Sequence, residues 1–341
     1  MNRRLVDLSR KGGLVDSFGR VHTDLRISVT DRCNFRCTYC MSAEGMTWLP
    51  RDEILTFEEI ERIAALMVSR LGISSIRLTG GEPLARAHLE VLVERLARLG
   101  VDVAMTTNGS MLARHAHSLA AAGLRRINIS LDSLRADRFE ELTRRDELAS
   151  VLEGIDAVVD AGFDPVKVNC VVMSGVNDDE VVDLARFGRE RGVEVRFIEF
   201  MPLDADGAWR PDDVVSQAAI VARIESALGP LVPVARSHEP AERFRYADGG
   251  GPHGVRVGVI ASVTRPFCGS CDRVRLSAEG GLRNCLFADA EADLRGPMRS
   301  GATDEELAAL IAGNVSAKGP GHAIGAVHFI RPRKSMSQIG G

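Results

Sequence analysis

Short apolar runs rich in valine and isoleucine alternate along this chain with longer stretches of helical period. That alternation restricts it to repeated βα units around a parallel sheet. The expected strands are 25–29, 75–78, 101–105, 126–131, 165–172 and 193–200. Between them lie amphipathic stretches at 56–71, 87–99, 112–122, 148–161 and 179–190, the first opening with Thr56 and Glu59 in capping-box spacing. Each strand hands over to small or polar residues, as in Thr79-Gly-Gly-Glu-Pro83 and Thr106-Thr-Asn-Gly109. Such loops gather ligands at the carboxyl ends of parallel strands.

Side chains two apart on a strand share a face. Arg26 then lies with Ser28 and Thr30, Arg77 with Thr79, Asn128 with Ser130 and Asp132, and Lys167 with Asn169. The opposite parities carry Leu25, Ile27 and Val29, then Ile76 and Leu78, Ile127, Ile129 and Leu131, and Val166 and Val168. A closed eight-stranded barrel fills its interior with branched apolar residues. Here one face is polar and basic, which fits a wide, incomplete barrel around a solvated cavity, since unpaired buried charge is costly. Exposed edge strands could carry the same charges. Arg125, Glu194 and Arg196 receive no role from this pattern.

A chain of 341 residues with 45% hydrophobic composition can form an α/β barrel with a sizeable core. Its net charge of −4 argues against a nucleic-acid binder, which carries a basic excess or stripe. There is no apolar run of about 18 residues and no apolar signal core after Met1-Asn-Arg-Arg4, so no membrane partner and a cytoplasmic location are expected. A helix is expected over 217–228. Pro230, Pro233, Pro240 and Asp248-Gly-Gly-Gly-Pro252 follow it, and breakers at that density divide the chain into 1–235 and 236–341.

The seven cysteines fall into two triads and one isolated residue. In a cytosolic protein, clustered cysteines read as metal or redox sites. Cys33, Cys37 and Cys40, spaced C-x3-C-x2-C directly after the first strand, supply three thiolates where a cubane cluster takes four ligands, leaving one iron open. A zinc knot is the alternative. Cys268, Cys271 and Cys285 form a second set of three, and neither His253 nor His322 has the spacing of a fourth ligand. A second open-site cluster and a zinc site both remain. Between these ligands Arg273 and Arg275 share a face if the segment is extended, and guanidinium forks suit phosphate oxygens. Cys170, within an apolar strand pattern, reads as a buried structural thiol.

With Tyr39 just before its last cysteine, the first triad resembles the cluster motif of the radical S-adenosylmethionine superfamily. The Arg-x-Arg beside a C-terminal C-x2-C-x13-C and the closing Gly340-Gly341 narrow the resemblance to the GTP 3′,8-cyclase family, from about Asp24 to Gly341 and least over 291–333. The resemblance implies an incomplete (β/α)6 TIM-type barrel, residues 1–235, with a C-terminal extension, residues 236–341, carrying a second iron–sulfur cluster. It implies two 4Fe-4S clusters, one on Cys33, Cys37 and Cys40 and one on Cys268, Cys271 and Cys285. S-adenosylmethionine would contact Tyr39, Gly81, Ser130 and Met201, with the Gly80-Gly-Glu-Pro83 turn admitting its methionyl amino group. GTP would contact Arg26, Arg77, Thr106, Lys167, Arg273 and Arg275, and Arg273, Arg275, Gly340 and Gly341 would serve the radical steps.

In the family a 5′-deoxyadenosyl radical removes the 3′ hydrogen of GTP, and the C3′ radical adds to C8. The product, 3′,8-cyclo-7,8-dihydro-GTP, belongs to an early step of molybdenum cofactor (molybdopterin) biosynthesis. An electron donor and a downstream pterin synthase are then expected partners, and a homodimer is compatible with the sequence. A peptide maturase of the same superfamily and an iron–sulfur sensor are the competing readings. Residue by residue, Met201 could be core, and Ser130 and Thr106 could be cap or turn residues.

Overall fold

Burial of one apolar face on every strand sets the architecture. The computed structural model describes residues 13–44, 46–235, 239–251, 253–324, 329–332, 334 and 336–339. Six parallel strands follow the expected order: β1 Asp24–Ser28, β2 Ser75–Thr79, β3 Asp102–Thr107, β4 Arg126–Ser130, β5 Val166–Val172 and β6 Glu194–Glu199. Leu25, Ile27, Ile76, Leu78, Ile127, Ile129 and Val168 are fully buried. They pack on the covering helices α1 Phe57–Leu71, α2 Leu89–Ala97, α3 Leu112–Ala121, α4 Ala136–Thr143, α5 Leu148–Asp160 and α6 Val181–Arg191. Helix α7 Gln217–Leu228 ends this part of the chain. The capping box of α1 is present: Glu59 N–H donates to Thr56 Oγ1 at 3.2 Å and Thr56 N–H to Glu59 Oε2 at 2.8 Å.

The last third of the chain adds strands to both edges of this sheet. These are β7 Leu231–Pro233, β8 Glu242–Tyr246, β9 Arg256–Ile260, β10 Arg273–Leu276, β11 Gly281–Arg283 and β12 Ala292–Asp293, followed by helix α8 Asp304–Ser316. Strand β9 pairs parallel with β6, and β10 pairs parallel with β1. The twelve-stranded order is β12-β11-β10-β1-β2-β3-β4-β5-β6-β9-β8-β7. A small hairpin, Leu14–Val15 with Val21–His22, precedes β1. Cys170 is fully buried, as its strand pattern suggested.

Helix α4 is absent from the sequence-based expectation. It is short and polar, anchored by Phe139, Leu142 and Thr143, and so displays no clear helical period. Among the described residues no helix is long and apolar enough to cross a membrane.

Ile27 lies beneath the cavity-facing residues with no exposed surface. Ile27→Ala should cost about 2–5 kcal/mol, the range for emptying a packed aliphatic site, read as a lower denaturant midpoint with unchanged slope.

Candidate active site

Strand register converts the basic residues into rungs across the cavity wall. In one rung Arg275 pairs with Arg26 and Arg26 with Arg77; Arg283 lies beyond Arg275 on one side, and Ala104 then Arg126 follow on the other. Neighbouring strands are about 4.8 Å apart, so Arg275, Arg26 and Arg77 stand shoulder to shoulder. The next rung places Thr106, Asn128, Lys167 and Glu194 in line. Above it come Ser130, Asn169 and Arg196.

These rungs line a cavity of about 350 Å³ that also meets Met201, Arg273 and Glu239. The structure thus brings together Arg26, Arg77, Thr106, Lys167, Arg273 and Arg275. It adds Arg126 and Arg196, which the sequence reading left out. Strand parity contained the signal for Arg196, since Val195 and Phe197 are buried core and residue 196 takes the other face.

Charge is crowded here. Burial, then the neighbouring Arg26 guanidinium, push the pKa of Arg77 down to about 9. Burial likewise lowers that of Arg26 and, more strongly, that of Arg275. Arginine keeps its proton in practice, so these shifts register positive charge that an anion would relieve. Arg77 Nε and Nη1 and Arg26 Nε are buried without a hydrogen-bond partner among the described residues. Lys167, held down to about 8 by burial and then by Arg196, meets Glu239 at 3.5 Å. Arg196 is paired with Glu194 at 2.5 Å and with Glu239 at 2.6 Å.

The first cysteine triad sits in the loop after β1, at the carboxyl end of the barrel. Both Cys40 N–H and Met41 N–H donate to the Cys37 carbonyl at 2.9 Å, folding the loop into a tight turn. Helix α4 is its platform: Arg36 N–H donates to Thr143 O at 3.0 Å, Thr38 N–H to Leu142 O at 2.9 Å, and Phe35 stacks edge-on against Phe139. On the other side the Gly80–Gly81 turn presses on the stem of the loop. A Cβ on Gly80 would lie 2.5 Å from Thr30 O, and one on Gly81 2.3 Å from Arg32 O. Glu82 secures the turn, accepting from Thr107 Oγ1 and Asn108 N–H, both at 2.7 Å. The glycines are therefore demanded by chain against chain.

Cys33, Cys37, Cys40, Gly80 and Gly81 line a second cavity of about 140 Å³ that shares Tyr39, Thr106, Ser130, Asp132 and Met336 with the larger one. Tyr39 donates to Asp132 at 2.6 Å, and Asp132 also accepts from Val171 N–H at 2.8 Å. Burial lifts the Asp132 carboxyl to about 6. Burial also pushes the thiols up, Cys33 to about 11 and Cys40 to about 12, and raises Cys37 well above the ordinary thiol range, an opposition to ionisation that metal ligation overcomes. No three His, Cys, Asp or Glu side chains among the described residues close on one point as zinc ligands do.

The second triad lies at the other end. Because β10 runs parallel to β1, Cys271, just before β10, belongs to the amino end of the strands. The β10–β11 hairpin pairs Arg275 with Arg283, and the same register continued brings Cys285 level with Arg273. Cys268 and Cys271 close a single turn, Cys271 N–H donating to Cys268 O at 3.2 Å. Burial raises the Cys271 pKa, but Arg273 and Lys318 outweigh it and bring the thiol down to about 7. The strand-end rule thus accounts for the first triad only. Gly340 and Gly341 lie outside the described residues.

A partial parallel barrel whose first strand runs into C-x3-C-x2-C, with a cavity at that end, is the radical S-adenosylmethionine arrangement. Residues 27–188 match the Radical SAM superfamily, and 193–324 match Molybdenum Cofactor Synthesis C. A GTP 3′,8-cyclase of Rhodopirellula baltica is 48% identical over 332 residues, covering 96% of this chain and 92% of its own. One from Streptomyces coelicolor is 48% identical over 337 residues, covering 98% of each chain. The crystal structure of Streptococcus suis SuiB bound to S-adenosylmethionine shares the fold, with a TM-score of 0.58 at 13% identity over 87% of this chain and 69% of that one. The chain belongs to the GTP 3′,8-cyclase family. Membership in the superfamily brings S-adenosylmethionine and a 4Fe-4S cluster as cofactors.

Gly81→Ala should displace the Arg32 backbone and unseat the cysteine loop. Iron bound at the first triad and cleavage of S-adenosylmethionine should both be lost while the far-ultraviolet circular dichroism is retained.

Proposed function

We propose that this chain cyclises GTP to 3′,8-cyclo-7,8-dihydro-GTP for molybdenum cofactor biosynthesis, with one cubane on Cys33, Cys37 and Cys40 and a second on Cys268, Cys271 and Cys285. The observation that carries the reading is the rung of Arg275, Arg26 and Arg77 in the cavity wall, with one cysteine triad beyond the carboxyl ends of the strands and the other just before the amino end of β10. A triphosphate supplies the anionic oxygens that the unpartnered Arg26 and Arg77 nitrogens require. Lys167 on β5 and Arg196 on β6 add charge farther along the cavity wall, and Thr106 adds a hydroxyl. Arg273 and Arg275 leave the second triad and enter the cavity, so they act on the substrate nearest that end.

Bound at the first triad, the cluster and S-adenosylmethionine supply a primary carbon radical that abstracts hydrogen. Tyr39, Gly81, Ser130 and Met201 hold that cofactor, with Tyr39 fixed by Asp132. The cations hold the nucleotide so that only its 3′ hydrogen is presented, because orientation decides which hydrogen a free radical takes. Functionally, residues 1–235 then carry radical generation, and 236–341 complete the substrate site. The C-terminal segment reaches the mouth: Arg331 pairs with Asp204, Lys334 binds Glu291 at 2.8 Å, and Met336 lines both cavities. Gly340 and Gly341, which follow this segment in sequence, act as catalytic residues by family resemblance. An electron donor and a pterin synthase complete the sequence of partners.

Reduced anaerobic protein given S-adenosylmethionine should form 5′-deoxyadenosine only when GTP is present; formation without GTP would instead support a peptide maturase. Lys167, with its pKa near 8, is a cation below that pH and neutral above it. The KM for GTP should therefore rise severalfold as pH passes upward through about 8, the loss of one charge-assisted contact, and Lys167→Met should have a flat KM profile over the same interval. Deleting Gly340 and Gly341 should abolish cyclisation with both clusters intact, measured as product against iron per chain.

A further inference from the structure

We infer that Lys318 is a positioning residue of the second cysteine triad, donating to the Cys271 sulfur and balancing the charge of the centre bound there, with the N-terminal hairpin as its fixed base. The inference rests on reading Cys268, Cys271 and Cys285 as cluster ligands.

Lys318 follows α8 and is 3% exposed. Its Nζ lies 3.5 Å from Cys271 Sγ, 3.3 Å from Cys271 O and 2.9 Å from Arg273 O. Among the described residues no carboxylate is bonded to it. A buried ammonium group without a counter-charge is costly, and the anionic sulfur of a metal-bound Cys271 is the group placed to supply one. The remaining contact is the ring of His22, whose Nδ1 is 3.5 Å away while its Nε2 lies 3.0 Å from Asp16 Oδ2. That geometry assigns the ring proton to Nε2 and turns the Nδ1 lone pair to Lys318.

The surroundings leave the amine little freedom. Asp16, His22 and Arg20 are all buried in the hairpin. Arg20 binds Asp16 at 2.5 Å and donates to Cys268 O at 2.8 Å, Gly319 O at 2.6 Å and Pro320 O at 3.2 Å. One guanidinium thus pins both a cysteine of the triad and the two residues after Lys318. The first triad is furnished differently: the Cys33 sulfur receives Phe35 N–H at 3.4 Å and the Asn108 amide at 3.9 Å, both neutral donors. Hydrogen bonds and cationic groups at cluster sulfurs raise reduction potential. Lys318 accordingly raises the potential of the second centre above the value it would have without that contact.

The test uses full-length protein reconstituted anaerobically, comparing wild type, Lys318→Met and Lys318→Arg by iron per chain and by redox titration followed with electron paramagnetic resonance. In Lys318→Met the second centre should shift to more negative potential and release iron to a chelator about tenfold faster, the scale on which outer partners of metal ligands act. The first centre should be unchanged, and Lys318→Arg should stay near wild type. Full iron and an unshifted potential in Lys318→Met would overturn the inference. If Lys318→Met takes up no second cluster, uptake by Lys318→Arg supports the inference, and failure of both overturns it. A wild-type chain that holds a single cubane overturns the two-cluster reading and this inference with it, and the iron count separates the two failures.

Discussion

Three guanidiniums in one rung are the burden around which this structure is arranged. At a spacing of about 5 Å and an effective dielectric near 20, two unit charges repel by about 3 kcal/mol. Arg26 stands between two such neighbours. The apolar half of each strand, packed on the helices, supplies the rigidity that keeps these side chains from drifting apart. Asp24 at the foot of β1 relieves part of the crowding on Arg26 and Arg77. What remains is a cavity that favours a ligand with several negative charges over any neutral one of similar shape.

The parallel entry of β10 beside β1 gives the lumen two chemically different ends. At the carboxyl end three thiols are partly buried, their ionisation opposed by desolvation. At the amino end Cys271 sits beside Arg273 and Lys318. Under the function proposed above, a nucleotide held by the rungs lies between the first cysteine triad on one side and the second on the other. The same strand pairing that builds the arginine rung also fixes the separation of the triads, so substrate charge and cluster placement are one structural decision.

Much of this is legible in the sequence alone. Period-two parity placed Arg26, Arg77 and Lys167 on the face opposite Leu25, Ile76 and Val166, and the pairing register agrees. Thr56 and Glu59 announced the start of α1. Arg196 obeyed the same parity, but a single charged residue between Glu194 and Ile198 carries no weight until its strand is seen lining a cavity. Helix α4 was hidden because eight residues offer only two turns in which to show a period. The Gly80–Gly81 turn was recognisable as a turn, whereas its contact with Thr30 and Arg32 joins segments some fifty residues apart. The position of the second triad depends wholly on β10 pairing with a strand about 250 residues earlier, which no local pattern encodes.

That distant pairing governs how the chain can be made. Until residues 273–276 leave the ribosome, β1 has an unpaired outer edge, and β6 lacks its partner at 256–260. A nascent chain of the first 235 residues would therefore present two open parallel edges, ready templates for association with another chain. Truncation from the carboxyl end would expose the same two rims. Both rims of the six-stranded sheet are therefore covered only by segments from the last third of the chain.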